Sequence, residues 1–160
     1  HCPAVTLECG RVGNRFGVEH AQNYLERCLR LERVPAQPPD PREIDLFRSV
    51  ALVQIPDTVR FRFGPGADVE LLLDPEIDRM NFRELPPGTV FGRVRGDRWP
   101  VRAVAPDGAE VTDRYFEVTA GELRLRRPAM PSLLTRDPRI VRQDCLCHLM
   151  ERIPRLGQAE

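Results

Sequence analysis

The period of apolar positions along this chain changes once, near residue 40. Ahead of that point, residues 3–7 form an apolar run that ends on Glu8, the pattern of a buried strand. Gly10, Gly13 and Gly17 break the run. From 18 to 32, Ala21, Leu25, Cys28 and Leu29 recur at helical spacing, with Glu19, Gln22, Glu26 and Arg30 on the other faces. The pattern predicts a strand, a glycine loop and a helix, in that order. Residues 34–42, VPAQPPDPR, cannot continue the helix and mark a linker.

Beyond Ile44 the alternation has a period of two. Strands are expected over 47–55, 59–63, 69–73, 89–94, 101–104, 115–118 and 122–126. Gly64-Pro65-Gly66, Arg95-Gly96-Asp97-Arg98, Pro106-Asp107-Gly108 and Ala120-Gly121 supply the turns. After the breaker PAMPSLL, a terminal helix is expected over 138–152, with Asp137 as its N-cap and Pro138 at its first position. The expected fold class is α+β. Residues 1–33 are a strand–loop–helix piece, 34–43 a Pro-rich linker, 44–128 a mostly antiparallel β-barrel-like domain, and 129–160 a terminal segment with a helix.

At 160 residues, with 41% hydrophobic and 30% charged residues, the chain has the composition of an ordinary globular protein. Formal net charge is zero, which points away from nucleic acid and from anionic membranes as partners. Every basic residue is Arg, scattered among equal numbers of acids. The five cysteines, at 2, 9, 28, 145 and 147, are odd in number. With no membrane-length apolar run and no signal peptide, they read as reduced thiols of a cytoplasmic protein. The chain lacks an initiator Met and opens inside a βα pattern, so the expectation is a C-terminal part of a longer protein.

Glu8 stands where chemistry is placed in open α/β sheets, at the carboxyl end of a strand before a loop and a helix. Such a carboxylate either caps and salt-bridges, or is half-desolvated and serves as a general base. The segment PAVTLECG, with His1 ahead of it and glycines behind, resembles the stretch that carries the catalytic Glu in the succinylglutamate desuccinylase/aspartoacylase family of the zinc carboxypeptidase superfamily. LPPGTVFGRVRGDRWPVRAVAPDGAEV resembles the compact β segment that follows the catalytic domain there.

The resemblance implies that 1–33 is the end of an α/β zinc-carboxypeptidase-like domain. It also implies zinc-dependent hydrolysis of N-acyl amino acids, with Glu8 as the base. Tyr115, in Tyr115-Phe116-Glu117, matches a family Tyr that contacts substrate. The H-x-x-E segment and later His that hold the family's zinc have no counterpart ahead of Glu8. Zinc is therefore expected in the parent protein and not in these residues. A literal H-x-x-E does occur at His148–Glu151, beside Cys145 and Cys147. On a helix those positions share a face, but the spacing matches no closed zinc pattern, and the two cysteines read as ordinary thiols on the terminal helix. The alternative reading is a non-catalytic β-rich module for binding or oligomerisation, with Glu8 structural; a homo-oligomer fits either.

Overall fold

Short runs of branched and aromatic residues, punctuated by Gly and Pro, form nine strands among the described residues, as a computed structural model of the chain shows. The structure describes residues 6, 15–34, 36–37, 40, 44–66, 68–96 and 99–154. The chain divides into two compact units, 1–40 and 41–160, and the division falls inside the proline-rich stretch.

In the first unit the described element is helix α1, Arg15–Leu29. It begins three residues before the expected helix, because Arg15 pairs with Glu19 one turn on and Gly17 is absorbed into the first turn. Among the described residues nothing in α1 is buried, and Phe16, Val18, Leu25 and Leu29 are exposed.

The second unit holds two mostly antiparallel sheets. Sheet one runs β5 (Arg102–Val104), β1 (Phe47–Gln54), β9 (Cys147–Arg152), β8 (Met130–Ser132). Sheet two runs β2 (Phe61–Phe63), β3 (Leu71–Leu73), β4 (Val90–Val94), β7 (Glu122–Leu125), β6 (Phe116–Thr119). Each order ends on two edge strands, so the domain expected to be β-barrel-like is, among the described residues, two open sheets and not a closed barrel. Ala51, Val53 and Leu149 from the first sheet join Leu71, Phe91, Leu123 and Phe116 from the second in one hydrophobic cluster. Phe91 and Phe116 meet edge to face at 5.4 Å, a favoured aromatic geometry.

One turn follows its residue types closely. Ala120 and Gly121 both have positive φ, 52° and 72°, as a two-residue hairpin turn between β6 and β7 requires. By contrast, Gly64-Pro65-Gly66 does not close a hairpin, because β2 and β3 pair in parallel. Glu70, just ahead of β3, is tied to Arg60, just ahead of β2: Arg60 N donates to Glu70 Oε2 at 2.9 Å and Glu70 N donates to Arg60 O at 3.0 Å.

The largest departure is at the C-terminal end. Asp137 does cap a helix, accepting from Arg139 N at 2.9 Å with Pro138 following, but this helix, α3, spans only Pro138–Gln143. Cys147–Arg152 is a strand instead, central in its sheet between β1 and β8. The reason is tertiary: Cys147 and Leu149 alternate into the core opposite Val53 and Ala51, and helical winding of this run would break both ladders. β8 and β9, from the stretch read as a terminal segment, belong to the same unit as β1.

α3 is stapled down by Arg142. Its guanidinium donates to Ile55 O at 3.2 Å, Pro56 O at 2.9 Å and Val59 O, and lies 4.7 Å from the centre of the Phe61 ring.

Candidate functional site

Tyr115, read from the sequence as a strand residue, ends a single helical turn, α2 (Thr112–Tyr115), that leads directly into β6. The turn points the ring inward, and the residue is 1% exposed. Its hydroxyl donates to Glu151 Oε1 at 2.9 Å, which joins the second sheet to β9 of the first. Arg114 and Arg127 each place a guanidinium 5.6 Å from the ring centre, within cation–π range.

Glu151 also draws in two further charges. Arg127 Nε lies 3.4 Å from Oε1, at ion-pair distance, and this buried nitrogen has no hydrogen-bond partner among the described residues. Arg48 Nη2 lies 4.0 Å from Oε2. Arg48 is there because β1 carries a bulge between Ser49 and Ala51. The extra residue shifts the register by one, so Arg48 rather than Ser49 stands opposite Glu151.

Burial pushes the Tyr115 phenol above its ordinary value, and the Glu151 bond and charge push it the same way; Arg114 and Arg127 pull it part of the way back. At neutral pH it is therefore a neutral donor whose proton is already engaged. The arrangement is a clasp between sheets.

The residues were also tested as a metal site. On β9, His148 and Glu151 are three apart, and strand alternation sends them to opposite faces, where a helix would have aligned them. Cys147 is fully buried beside Val53, its thiol pushed up mainly by desolvation, and Glu151 is held by Tyr115. Among the described residues, no group of three or more His, Cys, Asp or Glu side chains could hold a metal ion. The described residues thus do not fit the zinc that the family resemblance implies. They contain no helix long and apolar enough to cross a membrane.

Glu8 lies outside the described residues. Tyr115 and Glu151, singled out for unrelated reasons, are brought together by the fold, whereas His148, Cys145 and Cys147 are not joined to them. Arg127 and Arg48 were missed. The signal available for Arg127 was its place two residues past the end of β7; for Arg48 there was none, since its position depends on the bulge. No protein-family model matches the chain, and no curated protein and no solved structure matches it.

Proposed function

We propose that the chain is the C-terminal part of a zinc-dependent hydrolase of N-acyl amino acids, with Glu8 as its catalytic base and residues 44–154 as a non-catalytic β module. The observation that carries the reading is the segment Thr6-Leu7-Glu8-Cys9-Gly10, followed by a helix, a proline-rich stretch and a mostly antiparallel β unit, the order that the resemblance implies. On this reading the zinc ligands are not among the described residues, and no step is assigned to them. Glu8 takes the proton of the attacking water and delivers it to the leaving amine.

The test is Glu8→Gln in the full-length enzyme, with N-acetyl and N-succinyl amino acids as substrates. Loss of the base should lower kcat by roughly 10²–10⁴-fold, with the circular dichroism spectrum unchanged. A near-normal kcat would overturn the assignment.

The second reading, a binding module, is favoured by an open cleft on the outer face of the five-stranded sheet.

A further inference from the structure

The cleft has a volume of about 400 Å³, within the range of small-molecule sites. Directly opposed residues in a ladder share a face, so Arg62, Leu72, Arg93, Glu122 and Thr119 form one row across the five strands. Leu71 and Leu73 are buried in the core, so this row faces away from it. Leu72 and Val90, with Pro65 and Pro75, give the cleft an apolar lining. At Gly92 a Cβ would lie 2.3 Å from the Leu72 carbonyl oxygen, so glycine is what lets β3 and β4 approach beneath it.

Two charged groups line the same cleft without pairing. Arg93 stands opposite Glu122, but Glu122 is held by Arg124, whose Nη1 also donates to Gly88 O at 3.1 Å. Arg93 has no partner among the described residues. Just past the end of β3, Asp74 Oδ1 accepts from Glu76 N at 2.7 Å, and among the described residues no hydrogen bond reaches Oδ2. An exposed cation and a half-buried carboxylate, beside an apolar floor, complement a ligand that carries both charges. A lone anion would meet Asp74 and a lone cation would meet Arg93, each at a cost, and a neutral apolar molecule would use neither.

We propose that this cleft binds a free α-amino acid with an apolar side chain. Arg93 takes its carboxylate, Asp74 its ammonium group, and Leu72, Val90 and the two prolines its side chain. The inference does not rest on the hydrolase reading, and Glu8→Gln leaves the binding unchanged.

The experiment is an NMR titration of the ¹⁵N-labelled 160-residue chain with three probes: L-leucine, N-acetyl-L-leucine, which lacks the ammonium, and 3-methylbutylamine, which lacks the carboxylate. L-leucine should shift the amides of 72–74 and 90–93 with a Kd on the order of 1 mM, the scale expected for so small a ligand in an open site. Each partial probe should bind at least about tenfold more weakly, because it leaves one charge of the cleft unmatched. Arg93→Gln and Asp74→Asn should each weaken L-leucine at least about tenfold, and Asn keeps the oxygen that caps Glu76, so the fold survives. If those amides do not move with L-leucine, or if N-acetyl-L-leucine or 3-methylbutylamine binds as tightly, the proposal is overturned.

Discussion

Replacing Tyr115 by Phe removes one oxygen from the clasp and leaves the ring, its core contacts and both guanidinium neighbours in place. The lost interaction is a hydrogen bond to a carboxylate, and such bonds contribute about 1.5–3 kcal/mol. Two features lower that figure. Glu151 keeps Arg127 at 3.4 Å and Arg48 at 4.0 Å, and its side chain is 18% exposed, so water can replace part of what the phenol supplied. The expected loss is therefore about 1–2 kcal/mol, which for a unit of this size lowers the melting temperature by roughly 3–8 °C. Thermal unfolding at pH 7, followed by circular dichroism, reads it directly. Combining Tyr115→Phe with Glu151→Gln should cost less than the two single changes added together, since both remove the same bond. An unchanged melting temperature, or strict additivity, would refute the clasp. A raised KM with an unchanged melting temperature would instead assign Tyr115 to substrate, as the family resemblance implies.

Gly92→Ala should destabilise strongly, by about 2–4 kcal/mol or failure to fold, because the new methyl meets the backbone of β3, which cannot yield as a side chain could; soluble expression and denaturant unfolding test this. Stability should also fall from about pH 9 upward. Burial, then the Asp144 charge, raises the Cys145 thiol from 9.0 to about 11, and burial raises Cys147 as well. A raised pKa stabilises fully below the unfolded value and is lost as pH climbs through the folded one. Cys145→Ala should therefore flatten the decline in melting temperature between pH 9 and 11, and an identical decline would count against this cause.

Local signals in the sequence were enough for much of the β unit. Period-two alternation, with Gly and Pro between the runs, placed β1, β4, β5 and β7 to within a few residues. Asp137-Pro138 placed the start of α3, and Ala120-Gly121 the tightest hairpin. These features depend on a residue's own φ preference or on its near neighbours, so they can be read without the fold.

What only the tertiary structure decided was everything set by pairing between distant segments. His148-Leu149-Met150-Glu151 has no local preference strong enough to choose between helix and strand. The open ladder edges of β1 and β8 chose strand, and so separated two residues that a helix would have put together. The meeting of Tyr115 with Glu151 spans 36 residues and two sheets, and the bulge that presents Arg48 leaves no mark in the composition of β1. The parallel pairing of β2 with β3 was likewise hidden, since Gly-Pro-Gly permits a reversal but does not dictate one. Periodicity reports which face of an element is buried, while register and partner depend on which buried faces fit together across the core.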